Sequence, residues 1–224
     1  MSSPPGARRH TVFVTGGTGY LGVPLIQALL RRGHRVRALV RAASGGRLPA
    51  ETTLVVGDAL EPGSYRDQVA PADTLVHLVG TPRPGPAKAA EFRRVDLVSA
   101  EAAISAALHA GVQHFVYLSV AQPAPVMRAY VAVRREAEAL VRASGLVATF
   151  LRPWYVLGPR HRWPWLLLPM YAVLSVIPST SDGARRLGLV TRRQMVGALV
   201  RAVEAPPDWV RVVEVPEIRS SGGA

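Results

Sequence analysis

The chain has 224 residues, a formal net charge of +12 and no cysteine. That length holds one substantial α/β domain and excludes two with a linker, while the missing thiols exclude disulfide scaffolds, thiolate catalysis and cysteine-based zinc sites, and fit a reducing cytosol. The charge is almost all arginine, with Lys88 the sole lysine; scattered arginines without interleaved aromatics or a nucleic-acid motif argue against nucleic acid as the partner.

Residues 1–10 are polar, contain Pro and Gly, and read as a disordered leader with no apolar stretch behind them. Thr11 to Thr15 is a short apolar run ending in glycines, the pattern of a buried strand. Leu21, Leu25 and Leu29 then fall on one face of a helix over 20–32 that stops at Gly33. Strands follow at Val36 to Val40, Thr53 to Val56 and Thr74 to Leu78, with a short helix at Ser64 to Val69 before the last of them. A longer helix covers Ala87 to Ala110 and stops at Gly111. Phe115 to Leu118 is the next strand, Met127 to Ser144 a helix closed by Gly145, and Ala148 to Leu151 a strand.

Strands separated by helices imply crossovers and a parallel sheet buried on both faces. The expected fold is therefore α/β, a doubly wound parallel sheet of the Rossmann type, over residues 11–160. Residues 161–217 are expected to form a small C-terminal substrate-side lobe integrated with it, carrying a strand at Leu187 to Val190, a helix at Arg192 to Glu204 and a strand at Val210 to Val215. Residues 218–224 are expected to be a disordered tail. The apolar segment 163–177 is too short for a membrane span and is interrupted by Pro164 and Pro169.

The segment TVFVTGGTGYLG places Gly16, Gly19 and Gly22 three residues apart, across a strand end and a helix start. Gly16 permits a tight turn, Gly19 lets the backbone approach a pyrophosphate, and Gly22 lets helix and strand pack closely. Amides from Thr18 through Tyr20 and Leu21 then face the phosphates at the helix start. Arg41 follows the second strand, where NAD enzymes carry a carboxylate for the ribose. A guanidinium there suits a 2′-phosphate, so NADP(H) is favoured over NAD(H), with Arg37 and Arg47 as helpers; the competing reading makes Arg41 a plain surface residue. Asp58 takes either the adenine amino group or a helix-capping role. Val79 and Gly80 close the fourth strand beside the cofactor.

These motifs, with LVR, VGD, FVYLS, the Tyr130 helix and LRPWYVLGP, resemble the extended and atypical short-chain dehydrogenase/reductase superfamily. The likeness is greatest to its NmrA-like and complex I 39-kDa-subunit-like NAD(P)H-binding proteins. It implies that Pro153 to Val156 lies against the nicotinamide. Active members pair a Ser or Thr with Tyr-x-x-x-Lys, the tyrosine acting as acid or base and the lysine holding the ribose. Here Tyr130 is followed by Arg134, on one helix face at i and i+4, and Ser119 ends the fifth strand with Val120 where the hydroxyl usually stands. The resemblance implies Tyr130 as acid/base, Arg134 as its electrostatic partner and Ser119 as a substrate hydrogen-bond donor. The bland alternative is a half-buried tyrosine packed by an arginine.

His77, His109 and His114 lack metal-ligand spacing, and no metal site is expected. Trp154, Tyr155, Trp163 and Trp165 either line an apolar substrate pocket or pack a core. Two functions compete. One is a cytoplasmic NADP(H)-dependent oxidoreductase or epimerase-like enzyme on a small apolar carbonyl or alcohol. The other is a non-catalytic NADP(H)-binding redox sensor or assembly factor. The segment from Arg160 to Ile177 is read as a lid over the substrate, with a membrane-surface contact as its alternative.

Overall fold

The computed structural model describes residues 8–158, apart from 43, 83 and 125, and residues 188–223. Strands β1 (Thr11–Thr15), β2 (Arg35–Val40), β3 (Thr53–Val56), β4 (Thr74–His77), β5 (His114–Leu118), β6 (Ala148–Arg152) and β9 (Val210–Glu214) form one seven-stranded sheet in the order β3-β2-β1-β4-β5-β6-β9. Every neighbouring pair is parallel. The strand order reverses between β1 and β4, so the crevice outside their carboxyl ends is where this architecture takes ligands.

Alternation along the strands divides the core. Phe13, Leu75, Phe115 and Phe150 face a layer containing α3 (Val98–His109) and α4 (Arg128–Ala143). Val12, Val14, Val76, Val116 and Leu151 face the other layer, where α1 (Gly22–Arg31) packs beside α5 (Arg192–Glu204). Both faces of the inner strands are thereby covered, which explains strands written as nearly unbroken apolar runs, while edge strand β3 leaves Leu54 and Val56 exposed. Gly33, Gly111 and Gly145 all have positive φ, as the helix stops required.

Five sequence expectations are revised. The helix over 64–69 is two 3-10 turns, Pro62–Ser64 and Arg66–Gln68. The helix over 87–110 is not uniform: a short α2 (Ala89–Glu91) runs through a π turn, Phe92–Leu97, before α3 begins. The C-terminal part is less of a lobe than expected, because β9 extends the main sheet beside β6 and α5 supplies part of its helical layer. As an edge strand, β9 is covered less than its neighbours. The expected disordered tail is ordered from its start: α6 (Val215–Ser220) and a following 3-10 turn bury Ile218 and Ser221.

The leader also ends earlier than expected. His10 is buried, and its Nδ1 lies 3.0 Å from Asp73 Oδ1. A small parallel pair, β7 (Tyr155–Leu157) with β8 (Leu189–Thr191), was not foreseen as paired strands. The proposed lid, with Trp163 and Trp165, lies outside the described residues. Among the described residues, no helix is long and apolar enough to cross a membrane, and no cluster of His, Asp and Glu is arranged to hold a metal.

Candidate dinucleotide site and catalytic face

The turn from Gly16 to Leu21 joins β1 to α1 at the reversal of strand order. Gly16 has φ +74°, and a Cβ there would sit 2.9 Å from the Leu78 carbonyl carbon, so the turn packs against the end of β4. A Cβ on Gly22 would overlap the Gly16 and Gly17 carbonyl oxygens. The Gly19 amide donates to Gly16 O at 3.0 Å and closes the turn. Helix α1 starts at Gly22 with no side-chain cap and no acidic residue in its first turn. Its leading amides therefore keep the positive end of the helix dipole open to an anion. This cradle fits a pyrophosphate: small residues where bulk is forbidden, and donors that no side chain takes.

Tyr20 fastens the cradle to the C-terminal part of the chain. Its ring lies under the Arg192 guanidinium, 5.5 Å from the centroid, and its hydroxyl packs where a Cβ on Gly158 would be. Burial, opposed by Arg192, raises its pKa. Leu21 is buried in the α1 layer, while Thr18 is half-buried at the rim.

Arg41 directly follows β2, is exposed, and makes no ion pair among the described residues. Parallel pairing of β1 with β2 brings it to the same edge as the glycine turn. Arg37 is not placed to help: it sits in mid-strand, and its Nε donates to Gln68 O at 3.1 Å. Arg47 is exposed in a 3-10 turn. Asp58 is exposed; its Oδ1 accepts from the Leu60 amide at 2.9 Å, a local turn role that leaves Oδ2 unengaged among the described residues.

On the other side of the crevice, Arg134 is buried at 3% exposure. Its Nη2 lies 2.6 Å from Asp96 Oδ1, and its Nη1 donates to Leu118 O at 2.8 Å and to the Tyr117 hydroxyl at 3.3 Å. Nη2 also reaches Val79 O at 3.5 Å, and the guanidinium packs where a Cβ on Gly80 would stand. Asp96 Oδ2 accepts from both the amide and the hydroxyl of Thr81, at 2.9 and 2.6 Å. Burial opposes the charge on Arg134, but Tyr117, Tyr130 and Asp96 outweigh it and raise its pKa. The group is a permanent cation stitching together the ends of β4 and β5, the π turn and α4.

Tyr130 stands one turn earlier on α4, half-buried against Phe92, with Arg134 Cζ 5.2 Å from its ring centroid. The pair meets as cation and ring face. Met127, the residue before α4, holds a left-handed φ of 57°. Ser119 is buried, and its hydroxyl donates to Glu138 Oε1 at 2.6 Å. A carboxylate oxygen can only accept, so the Ser119 proton is held by Glu138 in this structure. Glu138 also accepts from Gln122 at 2.8 Å and from both Nε and Nη2 of Arg152 at 2.9 and 2.5 Å. Among the described residues no hydrogen bond joins Ser119 to Tyr130 or Arg134.

Pro153 is buried, and its carbonyl accepts from the Ala121 amide at 2.9 Å, which ties the β6 exit to the β5 exit. Val156 lies in β7 and packs toward the α1 layer. Trp154 and Tyr155 meet edge to face. His77 is a core residue: its Nδ1 is 2.8 Å from Thr15 Oγ1, and burial, with Arg134 nearby, lowers its pKa to about 3. His114 is likewise lowered to about 4 by burial. His109, exposed, contacts Asp67 at 2.8 Å.

Asp96, Thr81, Glu138 and Arg152 were not singled out from the sequence. Asp96 is a lone carboxylate in the apolar run VDLV. Glu138 continues the spacing of Tyr130 and Arg134 on one helix face. Both signals were readable.

Comparison with known proteins agrees with this architecture. A family model described as NAD(P)H-binding matches residues 16–160. The chain is 30% identical over 222 residues to a ceramide reductase of Caulobacter vibrioides, covering 96% of this chain and 67% of the relative. The chain belongs to the atypical short-chain dehydrogenase/reductases. Within this superfamily it is also 31% identical to a 3-diazoavenalumate denitrifying reductase of a Streptomyces species, over 87% of the chain and 72% of that enzyme. A third relative, the 4-hydroxy-2-methyl-3-oxo-4-farnesyl-3,4-dihydroquinoline-1-oxide ketoreductase of Stigmatella aurantiaca, is 31% identical over 65% of the chain, which spans half of that enzyme's length. Among solved structures, the Bordetella bronchiseptica enzyme WbmH in complex with NAD+ superposes with a TM-score of 0.68 at 22% identity, over 91% of this chain and 75% of that one. A Bacillus cereus UDP-glucuronic acid 4-epimerase in complex with NAD gives 0.68 at 17% identity, over 91% and 77%. At such identity these two speak for the fold alone. This superfamily member therefore binds NAD(P)H and belongs among oxidoreductase-like proteins.

Proposed function

We propose that this protein is an NADP(H)-dependent oxidoreductase acting on a small apolar carbonyl or alcohol. The observation that carries the cofactor preference is Arg41: an exposed guanidinium at the carboxyl end of β2 that, among the described residues, has no ion-pair partner to compete with a ribose 2′-phosphate. The reduction of an apolar ketone is supported by relatives named for ceramide reduction and for ketoreduction.

The bound cofactor supplies or accepts the hydride. Gly16, Gly19 and Gly22, with Thr18, Tyr20 and Leu21, hold the pyrophosphate on the amides of the turn. Asp58 contributes its free oxygen to the adenine. Val79 and Gly80, and Pro153 with Val156 opposite, border the nicotinamide end. Tyr130 holds the proton for the substrate oxygen on its Oη, and Arg134, fixed by Asp96, stabilises negative charge on that ring at 5.2 Å. Arg134 acts here as a positioning and electrostatic residue and does not replace a ribose-binding lysine, since its Nη donors are spent on Asp96, Tyr117 and two carbonyls and its Nε is buried.

Steady-state oxidation of NADPH against a panel of long-chain and aryl ketones tests the reading. Turnover that falls at least a hundredfold in Tyr130→Phe, with unchanged NADPH affinity, is expected; equal turnover in that variant contradicts the assignment.

Two observations favour the second reading, a non-catalytic NADP(H)-binding protein. The Arg134 charge is neutralised within the core by Asp96, and the Ser119 proton is held by Glu138. Tight NADPH binding without hydride transfer to any member of the panel is the outcome that selects it.

A further inference from the structure

The cofactor crevice lies at the carboxyl ends of the strands, but a separate cavity of about 830 Å³ opens at their amino ends. Its wall contains Thr11, Arg35 and Thr53, which are the first residues of β1, β2 and β3. It is thus separated from the Gly16–Gly22 turn by the length of the sheet. The volume lies within the range of small-molecule sites.

The wall is strongly basic. Arg9, Arg31, Arg35 and Arg37 line it, against one carboxylate, Glu51. Arg31 ends α1, Arg35 opens β2, and Arg37 lies two residues further along the same strand face. Among the described residues none of these four forms an ion pair, whereas Arg32, Arg93, Arg134, Arg152 and Arg211 are each paired with a carboxylate. Arg37 lines the cavity and is held by its Nε on Gln68 O, while its two Nη groups have no hydrogen-bond partner among the described residues. Four guanidiniums sharing one concave surface repel one another, and a bound anion relieves that repulsion. Planar forks on a concave wall suit phosphate oxygens, which they engage two at a time.

We propose that this cavity is a second anion site, which takes a multiply phosphorylated group and is separate from the dinucleotide turn. The phosphates come either from a free polyphosphate or from the headgroup of an anionic lipid; the chemistry of recognition is the same. The site does not depend on the proposed reaction or on the choice between NADPH and NADH.

The test uses the full chain saturated with NADPH, which fills the turn, titrated calorimetrically with sodium tripolyphosphate. Single-site binding that weakens as salt is raised is expected. The double variant Arg31→Ala/Arg35→Ala, and Arg35→Gln by itself as a milder change, should bind tripolyphosphate at least tenfold and threefold more weakly, with NADPH affinity and thermal midpoint retained. Arg94→Ala, an exposed arginine on the π turn, controls for net charge and should match the wild type. Absence of heat in the NADPH-saturated protein, or equal affinity in Arg35→Gln and the wild type, overturns the proposal. Flotation with phosphatidylglycerol vesicles, set against phosphatidylcholine vesicles, separates the sources. Flotation lost in the double variant assigns the site to a lipid headgroup, and tripolyphosphate binding without flotation assigns it to a free anion.

Discussion

The Nη2 of Arg134 lies 2.6 Å from the Oδ1 of Asp96, and both side chains are almost wholly buried. Two charges withdrawn from water hold each other only while both are present. Burying either charge without the other is strongly unfavourable. The pair sits between the ends of β4 and β5, so it carries the shape of the catalytic face as well as its charge.

Removing one partner should therefore cost more than removing both. Asp96→Ala is expected to lower stability by about 3–5 kcal/mol, since it strands a cation in the core. The double variant Arg134→Met/Asp96→Leu, of similar volume, should recover most of that loss. Urea unfolding of the three proteins measures it, and a double variant less stable than Asp96→Ala would contradict the account.

At Arg41 the prediction concerns selectivity. Arg41→Ala should weaken NADPH by about 1.5–3 kcal/mol, the worth of hydrogen bonds to a charged group, which is roughly tenfold to a hundredfold in Kd. NADH affinity should stay within about twofold. Fluorescence titration with both reduced cofactors reads the difference directly; parallel losses for NADPH and NADH would remove Arg41 from the ribose site.

The two core histidines make stability depend on acid. His77 and His114 have folded pKa values of about 3 and about 4, both below the ordinary value near 6.5, because burial disfavours the imidazolium. Between those values the unfolded chain binds protons that the folded chain refuses. Stability should thus be full above pH 6.5 and decline as the pH falls, by about 2 kcal/mol per histidine between pH 6.5 and pH 5. Asp73 and Glu204, also lowered although burial opposes it, add losses in the same direction at lower pH. Denaturant unfolding at several pH values should show this slope, and a flat profile between pH 5 and 7 would contradict the buried neutral state of these rings.

How far the sequence foretold this structure differs between elements for physical reasons. The glycine turn, β3 and α5 were legible because each is fixed by local chemistry: small residues at three-residue spacing, a four-residue apolar run, and a helix opened by Thr191 in a reciprocal cap with Gln194. The π turn was not, since one extra residue per turn leaves the apolar periodicity of Phe92–Leu97 nearly unchanged while rotating Asp96 into the core. The roles of Arg134 and Ser119 were legible in place but not in partner. Tyr130 and Arg134 were set on one face by their spacing, yet Asp96 is 38 residues from Arg134 and Glu138 is 19 from Ser119. Contacts at such separation are decided by packing, which no local pattern records. The assignment of 218–224 to a tail failed for the same reason: Ile218 is buried in the layer that holds α5, and its helix packs on α5 and β8, elements earlier in the chain.

If the turn at Gly16, Gly19 and Gly22 grips a dinucleotide through its amides, Gly22→Ala should release it. A methyl at that position collides with the Gly16 and Gly17 carbonyl oxygens and opens the turn, while the sheet and both helical layers persist. Calorimetric titration with NADPH should show saturable one-to-one binding to the wild-type protein and none, or at least a hundredfold weaker binding, to a Gly22→Ala protein with native far-UV circular dichroism. The same Kd in both proteins, or no heat from the wild type with either NADPH or NADH, would contradict it.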